Sequence, residues 1–139
     1  MKVSIGQGQD RIVDVINYYR GTNLGQWTRA MYRKLMRPKC CLWFPQCSPK
    51  QCGTADKFKR TLSARNWIPY PRDHIYELPI NAAFAQRLNL HNGDVRITFA
   101  NIIPKKGYEF VGVFEYVGTN KKGVREYKMI QNATDSSQW

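Results

Sequence analysis

Val95-Arg96-Ile97-Thr98-Phe99 alternates apolar with polar residues, and two more apolar segments, 108–117 and 124–130, follow it across turn-rich separators. The separators are Pro104-Lys105-Lys106-Gly107 and Thr119-Asn120-Lys121-Lys122-Gly123. A period of two puts successive side chains on opposite faces of a strand, so this stretch predicts three strands in an antiparallel meander. Such a meander hides its apolar face either under a helix or by closing into a barrel. Upstream, 75–78 reads as a short strand. Residues 81–90 carry Ala82, Phe84, Ala85 and Leu88 at near-helical spacing, before the turn His91-Asn92-Gly93-Asp94.

The first half reads differently. Ile12, Val13, Val15, Ile16 and Tyr19 recur at helical spacing over 9–19, and Gly21 follows as a stop signal. Asn23 is placed to cap a second helix, with Leu24, Trp27, Met31 and Leu35 along one face and Pro38 ending it. On that helix Arg29, Arg33 and Arg37 would stand opposite the apolar stripe, about 6 Å apart along the axis, near the separation of phosphates on one strand. Residues 38–53 hold all four cysteines and read as a loop. Thr54 can cap a helix over 55–65, with Phe58 and Leu62 inward and Lys57, Lys59 and Arg60 outward. The prolines make Trp67-Ile68-Pro69-Tyr70-Pro71 an extended link. These elements predict an α+β protein: a basic helical N-terminal half, 1–72, packed on a small antiparallel β sheet or barrel, 73–131. Residues 132–139 form a polar tail that is expected to fray unless Trp139 docks.

With 139 residues, 42% hydrophobic and 23% charged, the chain is the size and composition of one folded domain and too apolar for disorder. No run of about 18 apolar residues and no apolar leader core is present, which predicts an intracellular, cytoplasmic protein. Lys and Arg number 22 against 10 Asp and Glu, a net charge of +12. Residues 1–72 carry 14 of those cations against three acids (Asp10, Asp14, Asp56), whereas 73–139 are nearly neutral. A basic half on a neutral scaffold points to a polyanionic partner.

Four cysteines within a short span invite a metal reading, with Cys41, Cys47 and Cys52 as zinc ligands and His74 or His91 as a fourth. The intervals are unlike the paired Cys-x2-4-Cys knuckles of structural zinc, and reduced thiols in a packed loop are the competing reading. Tyr108, Phe110, Gly112, Phe114 and Tyr116 share one face of a regular strand, where they would stack bases or, the preferred reading, fill a core. Glu126-Tyr127-Lys128, with Glu115 or Glu109, offers the Glu-x-Lys triplet of a metal-dependent nuclease, but the triplet is common by chance. Gly6-Gln7-Gly8 lacks the strand and the Gly-Lys-Ser ending of a phosphate loop.

The stretch Ile75-Tyr76-Glu77-Leu78-Pro79-Ile80-Asn81-Ala82-Ala83-Phe84-Ala85-Gln86-Arg87-Leu88-Asn89-Leu90-His91-Asn92-Gly93-Asp94-Val95-Arg96-Ile97 resembles the strand, Leu-Pro, helix, Leu-x-x-Gly-Asp, strand unit of AbrB-type transition-state regulators. Its Leu-Pro and Phe-Ala steps are also similar to the plant-type B3 DNA-binding barrel, which has bacterial relatives in restriction enzymes. The resemblance implies a small β barrel that binds duplex DNA. It covers residues 75–97 and carries over no contact residues.

The function this predicts is non-catalytic binding of nucleic acid, DNA first, through phosphate contacts from Arg29, Arg33, Arg37, Lys57, Lys59 and Arg60. The alternative is a protein-binding adaptor or inhibitor that occupies a nucleic-acid groove or an acidic surface, with exposed Trp27, Trp43 and Trp67 as its hot spot.

Overall fold

A computed structural model describes residues 1–51, 64–79 and 94–139. In chain order its elements are β1 (Lys2–Ser4), β2 (Gly8–Gln9), α1 (Ile12–Arg20), β3 (Met31–Tyr32), β4 (Cys40–Trp43), β5 (Gln46–Ser48), β6 (Ala64–Trp67) and β7 (His74–Pro79). There follow β8 (Val95–Ile102), β9 (Tyr108–Thr119), β10 (Arg125–Gln131), β11 (Ala133–Asp135) and a 3-10 turn, Ser136–Gln138.

The alternating stretch forms the predicted meander, β8 to β9 to β10, all antiparallel. β10 continues to β7, β7 to β6, β6 to β5, and β5 returns to β8, which closes a six-stranded barrel. Closure removes the edges that an open meander would expose. β4 runs parallel to the first part of β8 (Cys40↔Val95 to Trp43↔Thr98), and β5 runs parallel to its last part (Gln46↔Asn101). Phe44-Pro45 separates the two, and proline interrupts the ladder there because it has no N–H to donate.

The architecture is mostly β, which overturns the α+β expectation: among the described residues α1 is the one α-helix, and strands from either side of residue 72 build the same barrel. The helix expected over 23–37 is absent, and β3 pairs with β4 in its place. Leu24, Trp27 and Leu35 do pack on the core, but from an irregular segment, and Tyr32, which the helical reading placed off the stripe, is the buried residue. The cysteine segment is strand rather than loop. Cys40, Cys41, Leu42 and Trp43 are all buried, because a strand covered on both faces reads as an unbroken apolar run without alternation. Ala64 and Arg65 belong to β6; the remainder of the helix expected over 55–65 and all of the helix over 81–90 lie outside the described residues.

The first helix forms as its periodicity predicts. Val13, Val15, Ile16 and Tyr19 are buried, and Gly21 ends the helix at φ 65°, donating its N–H to the Asn17 carbonyl. The tail is docked, not frayed. β11 pairs with β1, and Trp139 is 0% exposed, its Nε1 donating to Thr134 Oγ1 at 3.1 Å and its ring beside Tyr19 and Phe99.

Two apolar clusters lie on the two faces of the wall. Outside, Val15, Ile16 and Tyr19 of α1 pack with Leu42, Phe44, Ile97, Phe99, Phe110, Val113 and Trp139. Inside, Trp43, Cys47, Ile68, Ile75, Ala100, Ile102, Val111, Phe114 and Tyr127 fill the barrel. The aromatic row of β9 is split between them. The register shifts between Thr98↔Gly112 and Phe99↔Phe110, so one extra residue reverses the alternation and sends Phe110 and Phe114 to opposite faces. Both rings are core residues, and no stacking platform forms. Trp43 and Trp67 are buried and Trp27 is half-buried, so the tryptophan hot spot expected of an adaptor is not exposed.

Candidate nucleic-acid interface

Strand direction gives the barrel two ends. At the proximal end β8 begins, β9 hands over to β10 through residues 120–124, and β3 hands over to β4 through residues 33–39. At the distal end β8 turns into β9 through 103–107, and β6 turns into β7 through 68–73.

The two proximal connections are basic. Arg33, Lys34, Arg37 and Lys39 lie on the first and Lys121 and Lys122 on the second, all exposed. Among the described residues no carboxylate stands within 4.0 Å of any of the six. Asp94, half-buried, precedes β8 at the same end. β4, β8 and β9 separate the two connections, on the order of 10–15 Å at ordinary strand spacing. Asn120 holds the second turn by accepting from the backbone N–H groups of Lys122 and Val124. Lys39 takes a left-handed φ of 54°, and its carbonyl accepts from Val95 N at 2.9 Å, which pins the first connection to β8.

Beneath this end the barrel interior is charged. Arg96, 2% exposed, lies with its guanidinium 4.4 Å from the ring centres of both Trp43 and Tyr127. Tyr127 donates its hydroxyl to Glu77 Oε1 at 3.0 Å, and Arg125 Nη1 donates to the same oxygen at 3.3 Å. Among the described residues the buried charged side chains here are two guanidinium groups, Arg96 and Arg125, and one carboxylate, Glu77. Neither terminal nitrogen of Arg96 has a hydrogen-bond partner among the described residues. A fixed buried cation under an exposed cationic rim adds to the potential that attracts an anion.

The structure brings Arg33 and Arg37 together at the proximal end but does not align them with Arg29. All three are exposed, yet β3 stands between Arg29 and Arg33 and carries them to opposite ends of the strand. Lys57, Lys59 and Arg60 lie outside the described residues. The sequence reading missed Lys34, Lys39, Lys121 and Lys122; the paired lysines in a strand-connecting turn were the available signal.

Of the proposed zinc ligands, Cys41, Cys47 and His74 are among the described residues. Cys41 lies on β4 and Cys47 on β5 in the barrel interior, while Cys52 and His91 lie outside the described residues. No group of three metal-ligating side chains occurs among the described residues. Burial pushes the Cys47 thiol far up and raises those of Cys40 and Cys41, against the pull of Arg37 on Cys40 and of Arg96 and Arg33 on Cys41. Of the nuclease triplet, Tyr127 points inward, Glu126 meets His74 Nε2 at 3.4 Å, and Lys128 stands across from Glu115 on β9, while Glu109 faces Arg72 at 3.9 Å near the other end of that strand. Among the described residues no helix is long and apolar enough to cross a membrane.

No protein-family model matches the chain, and no curated protein does. A solved structure of the 5-hydroxymethylcytosine-specific restriction enzyme AbaSI is similar, with a TM-score of 0.69 and 18% identity over 96% of this chain and 42% of that one. The class that fold and site define is thus a closed β barrel with a cationic proximal end, on an architecture that also occurs within a restriction enzyme. The chain spans about two fifths of that enzyme's length, and at this identity the likeness is one of fold.

Proposed function

We propose that this chain is a nucleic-acid-binding module, with DNA its favoured partner, that holds phosphates at the proximal end of the barrel. One observation carries the reading: six exposed cations, Arg33, Lys34, Arg37, Lys39, Lys121 and Lys122, crowd one end without a carboxylate partner among the described residues. Cations left unpaired at a surface are the groups that displace counterions from a polyphosphate. Arg96 supports them from below, since a buried charge is screened less by salt than an exposed one. A restriction enzyme acts on DNA, so the similarity to AbaSI favours DNA over other polyanions.

The test is a salt series with the full chain and a fluorescent 20-base-pair duplex. If about six phosphates are neutralised, affinity falls by about three orders of magnitude between 50 and 200 mM salt. Replacing both Arg33 and Arg37 with alanine is expected to lower the slope of log K against log salt by roughly 2 and to leave the melting temperature in place. A flat salt response, or a double variant with the wild-type slope, overturns the reading.

A further inference from the structure

The distal end carries a feature that phosphate binding at the proximal end does not use. Tyr70 is 92% exposed, more than any other large apolar side chain among the described residues. A solvated aromatic ring forgoes the burial that ordinarily stabilises it, by about 1.5–3 kcal/mol for a large side chain. Its backbone is far from loose. Pro69 and Pro71 fix φ on either side, the N–H of Arg72 donates to the Pro69 carbonyl at 2.7 Å, and Ile68 N donates to the Ser48 carbonyl at 2.9 Å. The Arg72 side chain reaches Glu109 at 3.9 Å and ties this knuckle to the start of β9. At the same end the β8–β9 turn, which lines one hollow with Glu109, presents Lys105 and Lys106, both exposed, with no carboxylate partner among the described residues. Asn101 Nδ2 braces that turn by donating to the carbonyls of Lys105 at 2.9 Å and Gly107 at 2.7 Å.

We propose that Tyr70 is a base-stacking contact: the Pro69-Tyr70-Pro71 knuckle places its ring against an unpaired base of a nucleic acid while Lys105 and Lys106 hold the flanking phosphates. A rigid ring offered on a braced turn loses little conformational freedom on stacking, and every base has a face to meet it. Lysines at the same end of the barrel as the ring match a phosphodiester chain, which favours nucleic acid over a protein partner. The proposal rests on the nucleic-acid reading above but concerns the opposite end of the barrel, so the two can fail separately.

The experiment uses the full chain and a fluorescent single-stranded 20-mer, with a duplex of the same sequence alongside, each over a salt series. Tyr70→Ala is expected to weaken single-strand binding between about 5-fold and 150-fold, to weaken duplex binding less, and to leave the salt slope unchanged, because no charge is removed. Tyr70→Trp should restore the affinity. Lys105→Ala with Lys106→Ala should lower the slope by roughly 1.4 on the single strand. If Tyr70→Ala binds the single strand as wild type does, or if Tyr70→Trp fails to restore affinity, the proposal is overturned. Loss in Tyr70→Ala with no effect of Arg33→Ala and Arg37→Ala would keep the knuckle and discard the proximal interface. No binding of either nucleic acid by the wild type would discard both.

Discussion

Among the described residues Glu77 is the buried carboxylate that faces the guanidinium groups of the barrel interior. Glu77→Gln removes a carboxylate that faces Arg125 in low dielectric, which is expected to cost about 3–5 kcal/mol in urea denaturation. Arg96→Met is the contrasting variant. It removes a buried charge whose terminal nitrogens lack hydrogen-bond partners among the described residues, so stability is expected to hold or rise while duplex affinity at low salt falls. The thiols give a second check. In a Cys52→Ser chain, Cys40, Cys41 and Cys47 are buried with raised thiol pKa values, so none should react with a thiol reagent at pH 8 until denaturant is added. Fast labelling of the native chain would show that the packing around β4 and β5 is wrong.

At the scale of elements, the kink in β9 sets which aromatic rings enter the barrel. Gly112 is buried at φ 137°, and an added Cβ would lie 2.9 Å from Met129 Cε and 3.1 Å from Phe114 Cε2. Gly112→Ala therefore meets both a disfavoured backbone and a crowded site, and a loss of about 2–4 kcal/mol in urea denaturation is expected. The meander and α1 were legible in the sequence because each has one dominant period and is bounded by glycine or turn residues. β3 was not, since the spacing of Leu24, Trp27, Met31 and Leu35 fits a helix face as well as an irregular segment laid across a core. β4 hides for a different reason: covered on both faces, it shows no alternation, and its parallel pairing with β8 joins segments far apart in the chain. Arg96 was legible only as the polar position of an alternating strand. In a closed barrel that face is the interior and the apolar face lies under α1, so the polarity of β8 reads inside out.

For the whole molecule, the net charge of +12 was plain in the sequence, but its placement depends on topology that the chain does not advertise. Arg33 and Arg37 were singled out by their spacing on a helix that does not form; β3 and β4 bring them to the proximal end by another route, and Lys121 and Lys122 join them from the other half of the chain. Lys121→Glu with Lys122→Glu is expected to weaken duplex binding at least 10-fold at 100 mM salt without moving the unfolding midpoint, because both side chains are exposed in a turn. Trp139→Ala tests the other extreme. It removes a fully buried ring and an indole N–H bond that seal the outer core, at a cost of about 3–5 kcal/mol.

The pairing of Lys2 with Asp135 and of Ser4 with Ala133 also bears on how the chain reaches its native state. Partners so remote in sequence meet only after the intervening chain has lost most of its freedom, and the parallel joins of β4 and β5 to β8 carry the same burden. The expected consequence is refolding in milliseconds to seconds rather than microseconds. The outer seam between the first and last strands should zip up after the meander has formed, so weakening that seam should hasten unfolding far more than it slows refolding.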